Sequence, residues 1–211
     1  MKKIIYLVVL SGIFLFSFSA RAGAYSDFFN AIRLDNASAL QTLLQRGMDP
    51  NTVDTDGTPG LLKALQEQSF KAAAVLAGHP QVQPNVLNRK DETPLMLAAL
   101  RGQEALVIQL LLKGAEVNKK GWSPLHYAAT GGHARISAIL LGVHADVNAE
   151  SPNGTTPLMM AAMYGNSDTV KVLLNARAET YPVNDLGLTA EDFAIKAGRE
   201  DALRLIRQSR R

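Results

Sequence analysis

Four histidines, His79, His126, His133 and His144, are the side chains that could bind a transition metal or move a proton near neutral pH. A zinc site would need them at ligand spacing, and no pair follows the H-x₃₋₅-H pattern. The chain has 0 Cys, which removes thiolate ligands, disulfides and a Cys nucleophile. Asp146 with His126 or His133 could form the proton-moving half of a hydrolytic relay. That relay also needs a nucleophile, and no Ser stands on a G-x-S-x-G turn. No G-x-x-x-x-G-K-[ST] loop is present to cradle phosphate. The residues thus give no catalytic, metal or cofactor site, and the chain is expected not to be an enzyme.

Charge narrows the partners further. The 211 residues hold 22 Lys+Arg and 19 Asp+Glu, a formal charge of +3. Lys2, Lys3 and Arg21 make up the excess, so beyond Ala22 there are 19 basic and 19 acidic residues. A neutral body does not steer a protein to nucleic acid, and no nucleic-acid partner is expected. Met1-Lys2-Lys3, the 17 uncharged residues from Ile4 to Ala20, and Ser19-Ala20-Arg21-Ala22 have the layout of a secretory signal peptide. Such a run sits at the short end of the roughly 17–25 residues of a membrane span. The small-residue site favours cleavage after Ala22 over a retained anchor. The expectation is a signal peptide over 1–22 and a mature domain over 23–211, periplasmic or secreted from a bacterial cell, with no stable membrane insertion.

The elements that would position any site come from a repeat. Thr93-Pro94-Leu95-Met96-Leu97-Ala98-Ala99 is matched by Ser123-Pro124-Leu125-His126-Tyr127-Ala128-Ala129 and by Thr156-Pro157-Leu158-Met159-Met160-Ala161-Ala162. These starts lie 30 and 33 residues apart, and Thr189-Ala190 opens another 33 later. Thr or Ser can cap a helix, and Pro at the next position has its φ already helical. Gly102, Gly132, Gly165 and Gly198 are expected to close these helices in the left-handed conformation. Second helices follow, with Leu106, Val107, Leu110 and Leu111 on one face, and likewise Ile136, Ile139, Leu140 and Leu141, then Val170, Leu173 and Leu174. Helices this short are marginal alone, so stacking must hold them.

Period and wording together resemble the ankyrin repeat family. The resemblance implies an all-α, ankyrin-repeat α-solenoid of helix-turn-helix units joined by β-hairpin-like loops. About six units are expected, over 25–53, 54–87, 88–117, 118–150, 151–183 and 184–208. The second unit departs from the pattern: Pro59-Gly60 replaces Thr-Pro and Gln68 replaces the closing Gly, so its first helix should be less sharply capped. The third unit is 3 residues short, and its trimmed finger carries Lys119, Lys120 and Trp122.

Ankyrin proteins generally bind partners without catalysis, through hairpin tips and the inner face of first helices. On this chain those positions are Arg89, Lys90, Glu92, Leu100, Arg101, Lys119, Lys120, Trp122, Thr130, Pro152, Asn153, Thr155, Met163 and Tyr164. The alternative is that Trp122 fills the gap left by the shortened finger and that the charges are a solvated face with Asp91, Glu92 and Glu116. The basic tail, Arg199, Arg204, Arg207, Arg210 and Arg211, reads as a complement to the last helix dipole, with contact to anionic lipid as the alternative. The function implied is a monomeric protein-binding module, an adaptor or protective partner of another exported protein. The other reading is a periplasmic inhibitor or immunity protein covering an active site.

Overall fold

Residues 23–210 are described by a computed structural model. The signal-peptide reading falls on residues 1–22 and, with Arg211, lies outside the described residues. The helices, in chain order, are α1 (23–33), α2 (Ala37–Gln45), α3 (Gly60–Gln66), α4 (Phe70–Gly78), α5 (Pro94–Leu100), α6 (Glu104–Leu112), α7 (Pro124–Thr130), α8 (Ala134–Gly142), α9 (Pro157–Tyr164), α10 (Ser167–Asn175), α11 (Ala190–Lys196) and α12 (Glu200–Ser209). Extended pairing among the described residues amounts to an isolated bridge, Val53 to Pro59. The fold is an all-α stack of helix pairs.

The chain divides into two compact units, one ending at Val82 and one beginning at Gln83. In the first, α4 packs on both α3 and α2. Gly60 opens α3 because Phe28 presses there: a Cβ at 60 would lie 2.7 Å from the Phe28 ring. In the second unit the first helices α5, α7, α9 and α11 pack side by side in order. The second helices α6, α8, α10 and α12 do the same behind them. Leu95, Leu125 and Leu158 are fully buried, and the paired Ala98-Ala99, Ala128-Ala129 and Ala161-Ala162 let neighbouring helices approach closely.

The openings work as their residue types dictate. The Met96 N–H donates to Thr93 Oγ1 at 3.2 Å, and the Asp192 N–H donates to Thr189 Oγ1 at 3.3 Å. The third helical residue reaches back to the cap. Asp192 Oδ2 accepts from the Thr189 N–H at 2.8 Å, and the sulfurs of Met96 and Met159 accept weakly from Thr93 and Thr156. In α7 that residue is His126, whose Nδ1 accepts from the Ser123 N–H at 3.2 Å.

Two expectations about helix ends are corrected. Gly102, Gly132 and Gly198 close their helices with φ of +69°, +71° and +65°, but Gly165 is extended, at φ −74° and ψ −161°. It is Gly for a different reason: a Cβ would meet the Ala129 and Ala161 carbonyl oxygens at 2.7 and 2.8 Å. In the second repeat, α3 does begin without a side-chain cap at Pro59. Its other end closes as those of α5, α7 and α11 do, because Gln68 takes the left-handed conformation itself at φ +59°. His144 and Arg177 likewise adopt φ +66° where Gly47 and Gly114 stand in other repeats.

Four of the fingers between repeats are each held by one residue of their own turn. Asp54, Asn88 and Asn184 accept two backbone N–H groups of their own turn, at 2.8–3.1 Å. Ser151 accepts from the Thr155 N–H at 3.0 Å. A second set of asparagines ties loops about one repeat length apart. Asn51 donates to the Gln81 carbonyl. Asn85 donates to the Gly114 carbonyl and accepts from the Glu116 N–H, and Asn118 does the same with His144 and Asp146. Asn148 accepts from the Glu179 N–H.

Among the described residues Ser137 Oγ is the buried side-chain polar atom without a hydrogen-bond partner. It occupies the fourth position of α8, where α6 and α10 carry Val107 and Val170, both fully buried. Ser137→Ala is therefore expected to raise stability by about 1 kcal/mol by removing an unpaired hydroxyl. Chemical denaturation of the two proteins checks this, and an unchanged or lowered midpoint would contradict it.

Candidate functional site

The shortened finger delivers Trp122 to the position just before the cap of α7. Glu92, Thr155 and Leu188 hold that position in neighbouring repeats. Trp122 is half-buried, its ring edge-on to the His126 imidazole with centroids 5.2 Å apart and planes at 74°. Trp122 also borders an open depression of about 200 Å³, lined by Leu100, Trp122, Tyr127, Thr130 and Met160. These side chains come from three successive first helices: Leu100 ends α5, Tyr127 and Thr130 lie on α7, and Met160 lies on α9. Trp122 thus packs against His126 and also lines the depression.

His126 fixes the floor. It is fully buried. Its Nδ1 accepts from the Ser123 backbone N–H, which leaves the proton on Nε2 to donate to the Thr155 carbonyl at 2.9 Å. Burial pulls its pKa down to about 4, against the pull of the Thr155 carbonyl. Tyr127 donates to Glu92 Oε1 at 3.0 Å. Burial first, then the Glu92 carboxylate, pushes its phenol pKa well above the ordinary value. Glu92 Oε2 accepts from the Asn88 amide at 2.7 Å, so this carboxylate is half-buried and held on both oxygens.

The expected binding residues separate into groups. Arg89, Lys90, Arg101 and Lys120 are exposed. Lys119 is mostly covered and forms an ion pair with Asp91 of the preceding finger. Glu92 belongs to the hydrogen-bonded wall just described. Met163 is half-buried and Tyr164 is 57% exposed at the end of α9. Thr155 is corrected: it is buried, its carbonyl taken by His126 and its N–H by Ser151. Tyr127 and Met160 line the depression but stand outside the expected set. Their signal was the fourth position of a first helix beside a shortened finger.

Two of the other histidines have side-chain partners. His133 pairs with the Leu100 carbonyl at 3.0 Å, and His79 Nδ1 accepts from the Gln81 N–H at 3.3 Å. Among the described residues no group of three or more His, Asp or Glu is placed to hold a metal ion.

The family model described as ankyrin repeats (3 copies) matches residues 28–120, 61–151 and 138–210. The chain belongs to the ankyrin repeat family. It is 37% identical over 111 residues to "Ankyrin repeat and SAM domain-containing protein 6" of Rattus norvegicus, covering 51% of this chain and 12% of that protein. It is 32% identical over 134 residues to "Probable E3 ubiquitin-protein ligase XBOS31" of Oryza sativa subsp. japonica, covering 56% and 28%. Against "Rabankyrin-5" of Homo sapiens it is 33% identical over 114 residues, covering 52% and 10%. The chain therefore spans 10–28% of these relatives' lengths, and the similarity is one of ankyrin repeats.

Ankyrin repeats bind other proteins and are generally non-enzymatic, which makes this chain an interaction module. No helix among the described residues is long and apolar enough to cross a membrane. The basic tail of this ankyrin protein is largely engaged internally. Arg199 pairs with Asp201 at 2.7 Å and donates to the Gly165 carbonyl. Arg207 and Arg210 both pair with Glu191, at 2.7 and 2.6 Å, and Arg210 also lies over the Tyr181 ring. These contacts engage three of the cations that would have to meet a lipid headgroup. The expected dipole role fits Arg207 and Arg210 by position but not Arg199, which stands at the N-terminal cap of α12.

Proposed function

We propose that this chain is a non-enzymatic protein-binding module acting outside the cytoplasm, as an adaptor or protective partner of another exported protein. The observation that carries the binding surface is the aromatic-walled depression at Trp122, displayed by helices stacked in fixed geometry. A surface held rigid before contact loses little ordering entropy when a partner docks. Trp and Tyr are the residue types that most often anchor interfaces. The export reading is supported by the charged start, apolar run and small-residue site over residues 1–22.

Two measurements test it. The mass of the protein recovered from the exported fraction should correspond to a chain beginning at Gly23; recovery in the cytoplasm with Met1 retained would overturn the location. Crosslinking in that fraction should capture a partner, and Trp122→Ala should reduce capture about 10-fold or more, a loss of 1.4 kcal/mol or more, with little change in melting temperature. Equal capture by both proteins would remove Trp122 from the interface. A captured enzyme that keeps its activity supports the adaptor role, and one silenced on binding would make this chain an inhibitor.

A further inference from the structure

The depression has a size, a lining and a charge setting that together specify what fits it. At about 200 Å³ it falls below the roughly 300–1,000 Å³ of small-molecule sites, and it is open to solvent. That is room for one apolar side chain of a partner. The Tyr127 hydroxyl is already spent on Glu92, so the wall it presents is its ring. Trp122 and Leu100 add rigid apolar surface, and Met160 supplies a flexible, polarizable one that adapts to irregular occupants.

The exposed charges beside it are mostly positive. Asp91 is neutralised by Lys119, and Glu92 is held by Asn88 and Tyr127. Lys90 on the same finger, Arg101 next to the lining Leu100, and Lys120 two residues before Trp122 remain exposed. Although residues 23–211 carry equal numbers of basic and acidic side chains, the exposed cations Lys90, Arg101 and Lys120 that flank the lining residues in sequence outnumber the Glu92 carboxylate, which its neutral donors hold without neutralising. Exposed rim charges add little affinity but select partners and speed encounter. We infer, building on the protein-binding reading, that the depression receives one large apolar side chain from an acidic segment of the partner protein.

The single Trp of the chain makes the test direct, because its emission reports on the depression itself. The probes are three capped nonapeptides with a central Leu-Phe pair flanked by Glu, by Lys or by Ser. The Glu-flanked peptide should shift Trp122 emission and bind about 10-fold or more tighter than the Lys-flanked one at low salt. Raising salt to about 0.5 M should shrink that gap, since exposed charges are screened. Lys120→Glu, a change at an exposed residue that should keep the melting temperature, should lower the preference several-fold. Met160→Glu should abolish binding of all three. Equal binding of the three peptides, or no emission change with any of them, overturns the inference. If an exported partner still crosslinks through Trp122 while the peptides show no preference, the acidic segment is excluded and the binding module stands. If neither is seen, both readings fall.

Discussion

Lowering the pH from 7 to 4 is expected to cost the second unit about 3 kcal/mol through His126 alone. The imidazole is fully buried, and its pKa of about 4 lies below the 6.5 of an exposed histidine. The neutral form is therefore favoured in the folded protein. Above pH 6.5 both states are neutral there and nothing is lost. As pH falls from about 6.5 toward 4 the unfolded chain takes up a proton that the folded one resists, and stability drops. The geometry gives the reason beyond burial: a proton on Nδ1 would face the Ser123 backbone N–H, turning an attraction into a repulsion. Two carboxylates titrate outside this window. Asp192 is held below the ordinary range by Thr189, and Asp201 is held well below it by Arg199 and then Ser167. Denaturation midpoints at pH 7, 5.5 and 4 for the wild type and His126→Gln check this. The variant should be less stable at pH 7 but should lose markedly less on acidification. Parallel losses in the two proteins would refute it.

Leu140→Ala is expected to lower stability by about 2–5 kcal/mol, from lost burial plus the cavity left behind. Leu140 is fully buried on α8, which packs against α6, α7 and α10, so the cavity would open between neighbours on both sides. At roughly 2–4 °C per kcal/mol for a chain of this length, the melting temperature should fall by about 4–20 °C. Leu112→Ala serves as the control. Leu112 is 83% exposed, and its truncation should stay within about 0.5 kcal/mol. Comparable shifts in the two variants would mean that the second helices do not form a packed layer.

What could be read from residue order follows from how local each cause is. Thr93, Thr156 and Thr189 were legible because a cap and its N–H partner lie three residues apart. The buried faces of α6, α8 and α10 were legible in Leu106, Val107, Leu110, Ile136, Leu140, Val170 and Leu173, while Leu111, Ile139, Leu141 and Leu174 are half-buried and the polar Ser137 and Thr169 take buried places that apolar spacing does not reveal. Gly165 was misread because its requirement comes from the Ala129 carbonyl in the neighbouring repeat, which no local pattern reveals. Gln68 and His144 were unexpected as left-handed residues because the stack around them, and not their own preference, sets their φ. At the candidate site, Trp122 stood out by its type and by the missing residues beside it. Tyr127 and Met160 did not, because at that helix position a large side chain reads as core until the shortened finger is seen to leave it uncovered. The Lys119 ion pair with Asp91 was not legible, because its partner comes from another finger.

The asparagines Asn85, Asn118 and Asn148 each engage the loop of the following repeat, 26–31 residues ahead. Those clasps run forward along the chain, while His133, Asn166 and Arg199 reach back to the Leu100, Gly132 and Gly165 carbonyls of the preceding repeats. Neighbouring repeats of the second unit are thus latched from both sides. Removing a terminal repeat at either end would leave polar groups of its neighbour facing water, so fraying there should depend on which latch is cut.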